Sequence, residues 1–269
     1  MKFWHLIVRS LLLLVLTLPF PVSTAMAGGP DLEREQRLAD QIVDAILDGE
    51  PVYLTTPDKT RFLAIEMEAG TGPPRGAAII LHGRGMHPDW SQVAAPLRTG
   101  LPAHGWSTLS LQMPVLAKDA KYYDYLPVFP AAVPRIEAGI RHLRQQGIER
   151  IVLLAHSCSA HMSMTWVEAM GDSGIDAYIG IGMGATDYKQ PMPNPFPLDK
   201  VGIPLLALYG SNDYPAVHRQ AELITEMLPD LHPASAVQAV PGADHYFNDA
   251  DEDLVNAVTT WLDTAVTPE

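Results

Sequence analysis

The sequence lacks several features, and each absence excludes a class of protein. It has one cysteine, Cys158, in 269 residues, so a scaffold held together by internal disulfides is excluded, and no CxxC metal spacing occurs. Lysine and arginine number 18 against 31 aspartates and glutamates, without a basic run, which argues against nucleic acid and anionic membrane surfaces as partners. No histidine pair at helical spacing stands beside a carboxylate cluster, and we therefore expect no metal and no other cofactor.

Residues 1–27 have the pattern of an export signal. Lys2 and Arg9 give a positive start, residues 11–16 are continuously apolar, and Ala25 and Ala27 flank a small-x-small cleavage site. The apolar core is short for a membrane span, and no cysteine follows it for lipid attachment. We predict cleavage near Ala27, a periplasmic or secreted location, and no stable membrane insertion afterwards.

Residues 28–269 show the alternation of strand and helix patterns expected of one α/β domain. Repeated strand–helix units imply a mostly parallel central sheet with helices on both faces. Two segments that follow strands, 116–130 and 185–200, interrupt the alternation; they are candidate lid loops, with ordinary surface loops as the alternative. The predicted strands are 52–55, 61–66, 77–81, 107–112, 150–154, 177–183, 204–209 and 236–240, and the predicted helices are 31–47, 90–103, 131–146, 159–170, 216–228 and 251–265.

The stretch LLAHSCSAH, residues 153–161, lies where a predicted strand turns sharply into a helix, and such an elbow can present a nucleophile above a sheet. The crowded turn needs small residues two positions before and two after the nucleophile. Ser157 has Ala155 and Ser159 at these positions, whereas Cys158 and Ser159 would each have a histidine there. The sterics therefore favour Ser157 as the nucleophile.

A serine nucleophile needs a base and an acid that orients the base. Asp213 follows the strand 204–209 and His245 follows the strand 236–240, which gives the chain order Ser, acid, His found on open α/β sheets. Asp187, after the strand 177–183, is the rival acid. We predict Ser157, Asp213 and His245 as the catalytic residues.

The oxyanion of the transition state needs hydrogen-bond donors. The backbone N–H of Cys158, directly after the nucleophile, is one candidate, and the N–H of Arg84, in the glycine-containing loop after the strand 77–81, is the second. We expect His82 in the same loop to be a packed structural histidine. The residues predicted to line a substrate pocket are Met86, Trp90, Tyr122 and Tyr125.

The motifs LHGRG, LLAHSCSA, LYGSND and PGADHYF, in this order, resemble those of the α/β-hydrolase superfamily over residues 50–266. The stretch HGRGMHPDW is similar to an uncharacterised group of exported α/β-hydrolase-like proteins of the dienelactone hydrolase or esterase type. The resemblance implies the α/β-hydrolase fold and the same site residues, and it gives no substrate. Ala155 and Ser159 depart from the glycines of the usual G-x-S-x-G pattern, which bears on activity rather than on fold.

We therefore predict an exported, carboxylesterase-like serine hydrolase that cleaves a small-molecule ester through an acyl-enzyme. One triad also serves thioesters, lactones and amides, so the bond type stays open. The alternative is a catalytically weak or inactive hydrolase fold that acts in binding or assembly in the cell envelope, since one fold hosts many functions.

Overall fold

An eight-stranded sheet organises the chain in the computed structural model, which describes residues 28–70, 72–186 and 192–266. The strand order is β1-β2-β4-β3-β5-β6-β7-β8. The pairs β1–β2 and β2–β4 are antiparallel, and all other neighbours are parallel. The strands are β1 Glu50–Thr55, β2 Arg61–Met67, β3 Gly76–Leu81, β4 Trp106–Leu111, β5 Ile151–His156, β6 Ala177–Ile181, β7 Leu205–Gly210 and β8 Ala236–Val240.

Helices cover both faces of the sheet, which is why the central strands are continuously apolar. Every residue of β3 and β5 is buried, as expected for strands that face helices on both sides. One apolar core joins the sheet to α3, α4 and α5, and a second joins its other face to α2 and α6. The helices are α1 Leu32–Ile42, α2 Ala94–Gly100, α3 Val133–Gln145, α4 Cys158–Met170, α5 Pro215–Met227 and α6 Asp251–Ala265.

The second predicted helix begins later than its sequence pattern indicates. It was expected from residue 90, but α2 starts at Ala94, because the chain turns at Val93, whose φ is 64°. Pro96 then lies in the first turn of α2, where a backbone N–H has no acceptor within the helix and proline is tolerated.

The segment predicted as a first lid loop is largely helical and packs on the core. Tyr123–Ala132 forms a 3-10 helix whose Tyr125, Val128 and Phe129 are buried. In the second segment a short 3-10 helix spans Leu198–Lys200, while residues 187–191, which include the rival acid Asp187, lie outside the described residues.

The predicted signal, residues 1–27, also lies outside the described residues. Within the part of the chain that the structure describes, no helix has the length and apolar character needed to cross a membrane.

Candidate active site

Ser157 occupies the sharp turn between β5 and α4. Its backbone has φ 56° and ψ −113°, a conformation that residues other than glycine rarely adopt. A hydrogen bond from Ser157 N–H to Ile181 O, at 2.8 Å, fixes the turn. A strained residue held by its surroundings is typical of a functional position. The turn presents the Ser157 hydroxyl at the carboxyl edge of the sheet.

Ala155 and Ser159 both fit the crowded elbow, and neither is more than 1% exposed. Ser159 does more than replace a small residue, because its hydroxyl donates a hydrogen bond to the carbonyl oxygen of His82. This bond joins the elbow to the loop after β3. The sequence interpretation treats Ser159 only as a substitute for glycine and misses this contact.

The structure brings Ser157, His245 and Asp213 together. His245 Nε2 lies 2.8 Å from Ser157 Oγ, and His245 Nδ1 lies 2.7 Å from Asp213 Oδ1. Asp213 follows β7 and His245 follows β8, and all three residues are at most 7% exposed. Because the carboxylate accepts from Nδ1–H, Nε2 is left to accept the hydrogen of the serine hydroxyl. This is the geometry of a nucleophile with an oriented base.

Gly182, the first residue after β6, provides the space for this histidine ring. Its φ is 61°, and a Cβ at this position would lie 2.7 Å from His245 Cε1. Only glycine combines this left-handed backbone with so close an approach.

The loop after β3 reaches the same edge of the sheet. His82 is 1% exposed, its Nδ1 lies 2.8 Å from Gly83 O, and its Nε2 accepts the N–H of Met113 at 2.9 Å. Burial lowers the pKa of His82 to about 3, so the ring is neutral, in agreement with the structural role expected from the sequence.

Helix α1 is hydrogen-bonded to the loop after β3 through Arg34. Arg34 donates to Gly85 O at 2.9 Å and to Leu116 O at 2.6 Å, so it joins the loop after β3 to the segment after β4. Its neighbour Glu35 forms a buried ion pair with Arg135 at 2.9 Å. Burial raises the pKa of Glu35 against the lowering effect of Arg135.

The two predicted oxyanion donors belong to different segments of the chain. Cys158 is the first residue of α4, and the N–H groups of a helix's first turn point out of the helix, toward a developing negative charge. Arg84 lies in the loop after β3, and its side chain donates to Ala120 O at 2.9 Å. The oxyanion roles of the Cys158 and Arg84 amides stay predictions.

Tyr122 makes the contact that the sequence did not predict. Its hydroxyl lies 2.5 Å from Ser157 Oγ, its side chain is 6% exposed, and the guanidinium of Arg84 lies 4.7 Å from its ring centroid. Burial raises the pKa of Tyr122 well above its ordinary value, so the phenol stays protonated. The aromatic run at 122–129 was the sequence signal, and it indicated only a pocket wall.

The other residues predicted for the pocket have different surroundings. Tyr125 is a core residue, 1% exposed, whose hydroxyl accepts the N–H of Leu116 at 3.0 Å. Met86 is buried against Gly83. Trp90 donates to Gln92 Oε1 at 3.0 Å and packs edge-on to a histidine ring. Tyr125 therefore belongs to the fold rather than to a substrate pocket.

A cavity of about 560 Å³ runs along α4, and no member of the triad lines it. His161 lies in its wall between the rings of Phe129 and Phe196, at centroid distances of 5.8 and 4.7 Å, and contacts the Tyr122 ring at 6.3 Å. Burial lowers the pKa of His161 to about 4, so this ring is neutral, whereas Glu168, Asp199 and Lys200 add charged groups to the lining. A larger cavity, about 840 Å³, is lined by residues such as Asp31, Thr60 and Pro134 and by no member of the triad.

The remaining buried histidine of the elbow, His156, supports the base. Its Nε2 lies 3.0 Å from the carbonyl oxygen of His245, and burial lowers its pKa to about 3. Across the described ranges, no group of three or more histidine, cysteine, aspartate or glutamate side chains is arranged to hold a metal ion.

The backbone is similar to several solved hydrolases. An α/β serine hydrolase without a lid from Xanthomonas campestris covers 81% of this chain and 94% of its own, with a TM-score of 0.58 and 16% identity. An esterase from Pyrococcus furiosus covers 80% of this chain and 91% of its own, with a TM-score of 0.60 and 16% identity.

The chain has the α/β-hydrolase fold. A puromycin-hydrolysing peptidase from Mycobacterium tuberculosis shares this fold over 82% of the present chain and 40% of its own, with a TM-score of 0.59 and 14% identity. Proteins with this fold thus include an esterase and a peptidase, so the fold does not by itself identify a substrate.

Residues 18–125 match the DUF3530 family, whose description is "protein of unknown function". The matched segment includes the loop after β3 and Tyr122, and it ends before Ser157. No match was found among curated protein sequences. The hydrolase fold extends well beyond the matched segment.

Proposed function

We propose that this protein is a serine hydrolase that cleaves ester-type bonds through an acyl-enzyme. The observation that carries the proposal is the buried hydrogen-bonded series from Ser157 through His245 to Asp213, with distances of 2.8 and 2.7 Å. Each member follows a parallel strand at the carboxyl edge of the sheet, where open α/β sheets bind ligands.

The geometry supports a two-step reaction. Ser157 Oγ attacks the carbonyl carbon while its proton moves to His245 Nε2, and the carbonyl electron pair becomes an oxyanion. The oxyanion collapses, the bond to the leaving alcohol breaks, and the alcohol takes the proton from His245. Water then repeats the sequence on the acyl-enzyme and releases the acid. Asp213 holds the ring and stabilises its charged form.

A fluorophosphonate probe tests the nucleophile. We expect the wild type to be labelled and to hydrolyse p-nitrophenyl esters, and Ser157→Ala to lose both properties because the hydroxyl that His245 activates is removed. Ser163→Ala is the matched control, since Ser163 is a buried serine on the same helix whose hydroxyl bonds to Tyr178, away from the triad. Equal labelling of wild type and Ser157→Ala would refute the assignment.

We further propose an apolar acyl group for the substrate. The aromatic part of the cavity along α4 supports this choice, because Phe129 and Phe196 stack on His161, which contacts the ring of Tyr122 beside Ser157. The cavity's volume of about 560 Å³ falls in the range of small-molecule sites. We expect octanoate esters to have a higher kcat/KM than acetate esters in the wild type. A preference for acetate would contradict the proposed acyl group without affecting the nucleophile.

Export is proposed from the charged, apolar and small-residue pattern of residues 1–27. Expression of the full chain with periplasmic fractionation and N-terminal sequencing tests it. A mature chain beginning at Gly28 is expected, and an intact N-terminus in the cytoplasmic fraction would argue against export.

A binding role is the second candidate, and one observation favours it. The Ser157 hydroxyl is covered in this structure, since Ser157 is 5% exposed and contacts the Tyr122 hydroxyl. If binding is the function, Ser157→Ala should keep full biological activity in a deletion strain. Loss of that activity in folded Ser157→Ala would favour the enzyme.

A further inference from the structure

The contact between Tyr122 and Ser157 has a definite direction. Ser157 has one hydroxyl hydrogen, and the 2.8 Å contact assigns that hydrogen to His245 Nε2, because His245 Nδ1–H is used by Asp213. The remaining Oγ lone pairs can only accept. Tyr122, at 2.5 Å, is therefore the donor to the nucleophile.

The surroundings of Tyr122 hold its hydroxyl in place. Its side chain is buried, it directly precedes the 3-10 helix Tyr123–Ala132, and its ring lies beneath the Arg84 guanidinium at 4.7 Å. Arg84 is in turn fixed to Ala120 O, in the same segment as the tyrosine. A donor fixed before the reaction needs little reorganisation when charge develops near it.

We propose that Tyr122 is a further catalytic residue, whose hydroxyl donates to Ser157 Oγ in the resting protein and to the oxyanion of the tetrahedral intermediate during turnover. This inference rests on the proposed serine hydrolase function. In the intermediate, Oγ and the oxyanion are bound to the same carbon atom, so a small rotation of the phenol transfers the hydrogen bond from one oxygen to the other. The tyrosine keeps its proton throughout, and His245 carries the proton that moves.

Tyr122→Phe tests the proposal because it removes one oxygen atom and keeps the ring beside Arg84. Removal of one oxyanion donor typically lowers kcat about 100- to 1,000-fold, and we expect a loss of this size with little change in KM. Tyr178→Phe is the matched control: Tyr178 is also buried and bonds to a serine hydroxyl, Ser163, at 2.9 Å, outside the triad. Its activity should stay close to that of the wild type.

A boronic acid inhibitor separates an oxyanion contact from a purely structural one. The boronate forms a tetrahedral adduct on Ser157, so its affinity should fall in Tyr122→Phe by the same factor as kcat/KM. Labelling by the fluorophosphonate should still reach completion, more slowly. A crystal structure of the wild-type adduct should place the Tyr122 hydroxyl within hydrogen-bond distance of a boronate oxygen, and this measurement does not depend on how well the variant folds.

The outcomes distinguish this inference from the proposed function. If the wild type is active, Ser157→Ala is inactive and folded Tyr122→Phe turns over like the wild type, the role of Tyr122 is refuted and the hydrolase stands. An adduct structure with the hydroxyl turned away from the boronate would refute it as well. If the wild type is neither labelled nor active, the proposed function itself fails, and the role of Tyr122 fails with it.

Discussion

Gly182→Ala should disable the base while leaving the fold intact. The added Cβ would lie 2.7 Å from His245 Cε1, where ordinary contacts begin at 3.4 Å, so the ring must retreat by about 0.7 Å. The ring is held at 2.8 Å from Ser157 Oγ and 2.7 Å from Asp213 Oδ1. Any such retreat lengthens at least one of these hydrogen bonds.

The magnitude follows from the displacement. A misplacement of about 1 Å costs roughly 100-fold in rate, and we expect kcat to fall by about that factor. The left-handed backbone, φ 61°, adds a folding penalty of about 1 kcal/mol for alanine. Gly147→Ala is the matched control, because its φ is 83° and no atom lies within 4 Å of the added Cβ. It has the backbone penalty without the contact.

The assay compares kcat for a p-nitrophenyl ester with the urea midpoint of each variant. Gly182→Ala and Gly147→Ala should lose similar stability, and only Gly182→Ala should lose turnover. If folded Gly182→Ala turned over as fast as the wild type, the position of His245 in this structure would not be the one used in catalysis. A crystal structure of the variant would show where the ring moved.

Three further outcomes are expected. Ser159→Ala leaves the His82 carbonyl without its hydroxyl donor and should lower the free energy of unfolding by about 1 kcal/mol, measured in urea. Arg34→Met frees the loop after β3 and should lower kcat more than it raises KM for an ester substrate. Arg135→Met leaves the buried Glu35 carboxylate without its guanidinium partner and should cost about 3–5 kcal/mol near neutral pH. Because the pKa of Glu35 is raised in the folded state, this variant should regain stability as the pH falls toward the carboxyl's unfolded value, whereas stability that is independent of pH would contradict the buried charge.

The sheet and the meeting of the triad could be predicted because both follow from general rules of parallel sheets. The strand 236–240 and the helix 251–265 were predicted with the bounds observed. Ser157, Asp213 and His245 come together because the carboxyl ends of neighbouring parallel strands share one edge. Their catalytic role stays a prediction.

The contacts of irregular segments could not be predicted, because they depend on the path of the chain rather than on periodicity. Tyr122 and Tyr125 stand in the same aromatic run and were predicted to share one pocket. Both side chains are buried in the same core, but the Tyr122 hydroxyl contacts Ser157, whereas the Tyr125 hydroxyl accepts the N–H of Leu116. Likewise, the sequence shows that Ser159 is small enough for the elbow, but no residue pattern shows that its hydroxyl donates to the carbonyl oxygen of His82 after β3.

The covered nucleophile has a consequence for selectivity. Ser157 is only 5% exposed, so a substrate can bind only to molecules in which the side chains around the nucleophile leave room for it, while Tyr122 keeps its hydrogen bond to the reacting oxygens. The apparent affinity of every ligand is reduced by the fraction of such open molecules. A ligand whose acyl group also contacts the cavity along α4 favours the open form and gains more than its own contacts contribute, while a small ester such as an acetate does not. The cover over the nucleophile would thus select for the size of the acyl group.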